Sequence, residues 1–267
     1  MNYRRSHRIK RKKSKLKKVL FLLSLFSSFC LFVYFLFISD FFVLKKIIIS
    51  GNIKTAQEDL LIEIQKEVQT KKFQIINNNL LLLDSDVIKN NILSSFHLVS
   101  HVEIIKKFPS TISVLIDERI GVAVFCDSFN EEASGKCFIT DNQGFLFEEF
   151  LEEDQLLPKI RSTNLQKSLI LGTQIMEEKL LSTILDFHLG MKNINVQLRE
   201  FLIIADNRIN IITKDGWEIY FNPKENTEWQ LTKLSAVLSE GISLEERKEL
   251  EYIELRFGNT APFKKKN

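Results

Sequence analysis

The residues able to do chemistry are few and poorly placed for it. His97 and His101 lie four apart, a spacing that converges on a metal only along a helix. Here they fall across a loop and into a predicted strand, and no Cys or carboxylate at ligand spacing completes a set. Carboxylates cluster at Glu131-Glu132, Glu148-Glu149 and Glu152-Glu153-Asp154. Such pairs could serve as acid and base about a glycosidic bond, but solvated loops account for them more simply. No G-x-S-x-G, H-E-x-x-H or P-loop pattern is present. The sequence therefore points away from an enzyme, and it names neither a cofactor nor a metal.

Cys126 and Cys137 fall on the two arms of a predicted hairpin. In an oxidising compartment they could bond, closing a loop worth about 3 kcal/mol in the chain-entropy model. Two separate buried thiols are the alternative. Cys30 sits inside an apolar run and reads as packing against lipid.

That run decides the topology. Residues 19–39 carry no charge over 21 positions, about 31 Å of helix against a hydrocarbon core of about 30 Å. The run is longer than the apolar region of a signal peptide. It ends Leu36-Phe37-Ile38-Ser39-Asp40-Phe41, too bulky for a cleavage site. Before it, residues 1–18 hold Arg4, Arg5, Arg8, Lys10, Arg11, Lys12, Lys13, Lys15, Lys17 and Lys18 and no acid. By the positive-inside rule this tail stays in the cytoplasm and everything after Asp40 lies outside. Setting those ten aside from the 37 Lys and Arg leaves 27 against 34 Asp and Glu, a balance of −7. A mildly acidic body argues against nucleic acid as a partner.

The outer body reads first as strand, helix, helix, strand, strand. Residues 42–49 are β-rich and stop at Ser50-Gly51-Asn52. Thr55 and Glu58 match a capping box for a helix with Leu60, Leu61, Ile64 and Val68 on one face. Asp84 or Ser85 caps a second helix, striped by Val87, Ile88, Ile92 and Leu93. Strands follow at 99–107 and 111–117 around Pro109-Ser110.

From about Ile120 the pattern is mostly strands. They are 122–126 with 136–140, then 145–147, then a meander over 201–204, 209–213 and 217–221. One helix over 175–189 should stop at Gly190. Another should open on a capping box of Thr227 and Gln230. The last strand, 250–257, alternates Ile253, Leu255 and Phe257 against Tyr252, Glu254 and Arg256. Alternation alone leaves open whether that strand is internal or a sheet edge that a partner strand could extend.

The order of these elements, and several short motifs, resemble the FtsQ/DivIB family of bacterial cell-division proteins. The resemblance runs from the basic tail almost to the C-terminus. Ile47-Ile48-Ile49-Ser50-Gly51-Asn52 is similar to the family's entry into its POTRA domain, and Lys107-Phe108-Pro109-Ser110-Thr111-Ile112-Ser113-Val114 with Asp117-Glu118-Arg119 to its exit. Phe138-Ile139-Thr140-Asp141-Asn142-Gln143-Gly144 resembles the opening of the second domain, and Tyr252 to Phe257 its near-terminal strand. Gly121 stands where proline is usual, and Glu254 where aspartate is usual.

The resemblance implies an α+β fold: a single transmembrane helix (19–39) after a basic tail (1–18), a POTRA domain (β-α-α-β-β, 40–119), a β-rich domain (120–260) and a polar tail (261–267). It implies a single-pass scaffold of the division septum with no catalytic role. Tyr252, Ile253, Glu254, Leu255, Arg256 and Phe257 would form the edge that receives an FtsB/DivIC-like protein, which comes with an FtsL-like one. Other divisome proteins and the lipid bilayer would complete its partners. A POTRA-bearing assembly or translocation factor, and a membrane-anchored wall enzyme, are the rival readings.

Overall fold

A computed structural model describes residues 4–69, 78–127, 136–151, 157–163 and 169–266, with side chains from residue 17 onward. The first element, α1 (Arg4–Phe37), is one continuous helix. Its stretch Lys17–Phe37 is long and apolar enough to cross a membrane, and most of its apolar side chains are exposed. It fits a single-pass anchor. The side chains of Arg4, Arg5, Arg8, Lys10, Arg11, Lys12, Lys13 and Lys15 lie outside the described residues. Lys17 and Lys18 are exposed.

The chain divides into two compact units, Met1–Glu118 and Arg119–Asn267. In the first, β1 (Lys46–Ser50) leads to α2 (Gln57–Gln69) and α3 (Ser85–Ser95), then β2 (Val99–Lys107) and β3 (Thr111–Glu118). The sheet order is β1-β3-β2, with β1 parallel and β2 antiparallel to β3. The period-two pattern buries Ile112, Val114 and Ile116 at no more than 1% exposure, under Leu60, Ile64, Ile88 and Ile92 of the helices. Asp84 caps α3 by accepting from the backbone N–H of Asp86 and Val87. The Glu118 carboxylate accepts from the backbone N–H of Lys54 and Thr55, tying the end of β3 to the entry of α2.

Among the described residues, the second unit forms one sheet of nine strands with helices against it. Its strands are β4 (Ala123–Cys126), β5 (Cys137–Thr140), β6 (Leu146–Glu149), β7 (Lys159–Ser162), β8 (Leu198–Ala205), β9 (Arg208–Thr213), β10 (Glu218–Phe221), β11 (Leu250–Glu254) and β12 (Phe263–Lys265). Their spatial order is β12-β11-β10-β9-β8-β7-β4-β5-β6. The helices are α4 (Glu178–Asn193) and α5 (Thr227–Ala236), the latter continued by a π-helical turn (Val237–Gly241). Ile184 and Phe187 of α4 and Leu234 of α5 join Phe201, Ile211, Ile219, Phe221 and Ile253 in one core. The Phe187 and Phe221 rings stack at 4.5 Å.

Two helix expectations are corrected. Gly190 does not stop α4, which runs on to Asn193. Its value is the missing side chain: a Cβ there would meet Leu231 Cδ1 of α5 at 2.3 Å. The N-cap of α5 is Asn226, whose side chain accepts from the Trp229 N–H, so Thr227 is already helical. Gln230 instead bridges back to Asn222, accepting from its N–H and donating to its carbonyl, both at 2.9 Å.

Candidate partner-binding edge

The near-terminal strand is not an edge. β11 pairs parallel to β10 through Glu218 with Tyr252, Ile219 with Ile253 and Tyr220 with Glu254. On its other side it pairs antiparallel to β12 through Tyr252 with Lys264 and Ile253 with Phe263. The expectation of a free edge along Tyr252, Ile253, Glu254, Leu255, Arg256 and Phe257 is therefore corrected. Only the first three belong to the strand, and their main chain is engaged on both sides.

The alternation read for this stretch also breaks. Ile253, Glu254 and Leu255 are buried in succession, and Phe257 is 61% exposed. The strand ends because polar groups claim the chain. Arg256 wraps back on Glu254, donating from Nε at 2.8 Å and from Nη2 at 2.6 Å, so the carboxylate is buried with its charge matched. Lys233 of α5, itself buried, donates from Nζ to the carbonyls of Leu255 (2.5 Å) and Gly258 (3.0 Å). Burial pulls the Lys233 ammonium below its ordinary pKa, while Glu225 and Glu254 act in the other direction. Gly258 takes φ +47°, the left-handed region, and the chain turns back.

The edge formed by that turn is β12, in the segment expected to be a polar tail. The Glu254 N–H donates to the Pro262 carbonyl, and the Lys266 N–H to the Glu249 carbonyl. With residues 262 and 266 facing inward, the period of two turns the peptide groups of Phe263 and Lys265 outward. Their N–H and C=O groups are the pairing positions for an added strand. Two ion pairs hold this edge to the body, Lys264 with Glu251 at 2.7 Å and Lys265 with Glu246 at 2.8 Å. The signal available in the sequence was Pro262 followed by Phe263 and three lysines, since edge strands commonly start after proline and carry lysine.

A ribbon of side chains crosses the outer face toward β12. The Arg208 guanidinium lies 4.4 Å from the Tyr220 ring, and the Tyr220 and Tyr252 rings stack at 4.8 Å. Tyr252 is level with Lys264 of β12. Burial, then the Glu218 charge, push the Tyr220 phenol above its ordinary pKa, so it stays a neutral donor.

The remaining candidates are placed as follows. Cys126 and Cys137 are directly opposed across β4 and β5, with Cα atoms 4.1 Å apart and the sulfurs bonded. His97 follows α3 and His101 is exposed on β2. Among the described residues no group of three metal ligands forms. Glu148 and Glu149 are on β6, while Glu131-Glu132 and Glu152-Glu153-Asp154 lie outside the described residues. A cleft of about 800 Å³ opens beside α4, lined by His188, Lys192, Arg199 and Glu200 among others. Its carboxylate is occupied by Arg161, 2.9 Å away.

Residues 42–119 match the family model of the POTRA domain, FtsQ-type. The chain carries an FtsQ-type POTRA domain. This supports the FtsQ/DivIB resemblance of the sequence, and that family is generally a non-enzymatic scaffold. No curated protein matches the chain. The matched residues fall in the first compact unit up to Glu118, and the sheet that follows has β12 at one end and β6 at the other.

Proposed function

We propose that this protein is a single-pass scaffold of the bacterial division machinery that works by strand addition at β12. The observation that carries this reading is the outward-facing main chain of Phe263 and Lys265 at the end of the nine-stranded sheet. It is supported by the FtsQ-type POTRA domain and by the anchor-length helix before it. The basic tail stays in the cytoplasm and the two units lie outside, at the septum. The partner is an FtsB/DivIC-like membrane protein accompanied by an FtsL-like one, and other divisome proteins join them. Main-chain pairing at β12 supplies affinity, while Tyr252, Lys264 and Lys265 select the incoming strand. The protein recruits and couples; it makes and breaks no covalent bond.

A fluorescent fusion tests the reading. Accumulation as a ring at mid-cell supports it. An even envelope signal, with no co-purifying small coiled-coil membrane protein, would sink it. Pull-down with Tyr252→Ala then separates side-chain selection from the main-chain contribution of β12.

A further inference from the structure

Topology brings one end of the POTRA sheet next to the end of α1. β1 starts nine residues after Phe37, β3 runs parallel to it, and the β2–β3 turn at Phe108-Pro109-Ser110 therefore lies beside the start of β1. The Ser110 carbonyl accepts from the backbone N–H of Lys45 (2.8 Å) and of Lys46 (3.2 Å). The helix end is pinned to the same place. Asn79 Nδ2 donates to the Leu36 carbonyl at 2.8 Å, taking one of the carbonyls a helix end leaves open. Two backbone bonds, Leu44 to Asn78 and Leu80 to Phe42, fasten the next stretch.

An unbroken chain of phenylalanines joins the span to that turn. Phe35, inside the last turn of α1, lies 6.0 Å from Phe42, and Phe42 lies 6.3 Å from Phe108. Phe41 contacts both Phe35 (5.3 Å) and Phe42 (5.0 Å). Those distances put Phe108 no more than about 12 Å from Phe35, against a headgroup layer of about 5–8 Å per leaflet. Yet Phe108 is 57% and Phe41 50% exposed. Lys45, Lys46 and Lys107 surround them, all exposed and without an ion pair among the described residues. Lys106 turns inward to the Leu83 carbonyl, and Asp40 is the one carboxylate between Phe37 and β1.

We propose that the β2–β3 turn is a second membrane contact: Phe41 and Phe108 enter the interface of the leaflet facing the folded body, and Lys45, Lys46 and Lys107 bind its anionic headgroups. This rests on α1 being the span. Exposed apolar rings gain by burial at the headgroup–acyl boundary, and lysines near an anionic surface are attracted to it. The occupant is lipid because the patch continues the surface of the span itself through Phe35. The consequence is a POTRA domain held at a fixed height and tilt on the bilayer.

Tryptophan quenching by brominated lipids tests it on the full chain in vesicles, with the signal of the unaltered chain subtracted. Phe29→Trp reports the span, Phe108→Trp the turn, and Ile53→Trp the far end of β1 as a control. The expected result is quenching at 29 by deep bromines, quenching at 108 by shallow ones, and none at 53. Quenching at 108 should be stronger in phosphatidylglycerol than in phosphatidylcholine. Each Lys→Gln change at 45, 46 or 107 should lower the docked fraction ~5-fold at most. Quenching at 29 with none at 108 overturns the docking and leaves the span intact. Protection of 108 from aqueous iodide without lipid quenching assigns the patch to a protein contact and also overturns it. Absence of quenching at 29 removes the span and the docking together.

Discussion

Tyr252 and Lys264 face each other in register, one on an internal strand and the other on the sheet edge. That pairing moves the open main chain from the stretch 252–257 to 263–265. It leaves Tyr252 one strand in from the edge, level with Lys264. Lys265→Pro should therefore weaken partner binding at least tenfold, because it deletes an outward N–H without touching the bonds to β11. Lys265→Ala, which keeps that N–H, should weaken it much less. Calorimetry with the proposed FtsB/DivIC-like partner distinguishes the two.

Glu246 holds β12 through Lys265, and this sets a pH window. Hydrogen bonding from Lys265 and from Ser243 pulls the Glu246 carboxyl down to about 2. The folded-state value lies below the unfolded one, so the contribution is complete above about pH 4.3 and is lost as pH falls through about 2. Lys265 shifts upward through the same bond, so its share is complete below about pH 10.4 and fades as pH rises further. A carboxyl NMR titration of Lys265→Met should move the Glu246 midpoint back toward the usual glutamate range. An unmoved midpoint would show that Ser243 alone holds it.

Removing the bond between Cys126 and Cys137 should cost about 3 kcal/mol, from the freedom regained by the unfolded loop. Thermal melts of Cys126→Ser and of the reduced chain should fall by the same amount. If non-reducing gels show no mobility change on reduction, the pair is not bonded in the cell.

Lys233→Met keeps the stem and deletes the ammonium that holds the Leu255 and Gly258 carbonyls. The loss should be about 2–4 kcal/mol, since two buried carbonyls lose a charged donor. Hydrogen exchange should rise first in residues 255–265, and partner binding should fall with it.

Gly190→Ala measures how closely α4 and α5 approach. In the native background the clash with Leu231 should offset the helix-propensity gain and leave stability unchanged or lower. In a Leu231→Ala background the same change should stabilise by up to about 1 kcal/mol. Equal effects in both backgrounds would show that the contact is slack.

Features that depend on local pattern could be read from the residues alone. The 21-residue uncharged run allows a membrane-length helix, and alternation at Ile112, Val114 and Ile116 names the buried face of β3. The Asp84 cap and the paired arms at Cys126 and Cys137 were legible for the same reason: each depends on neighbours a few positions away. Features that depend on distant partners emerged only in the folded chain. Gly190 reads as a stop until Leu231 is seen against it, and Glu254 reads as solvent-facing until Arg256 and Lys233 close around it. β7, at four residues, is too short to stand out. β12 is three residues of a lysine-rich end that become a strand only because a turn lays them against β11. Which strand ends a sheet is a property of the assembled sheet, so the edge was where periodicity carried no information.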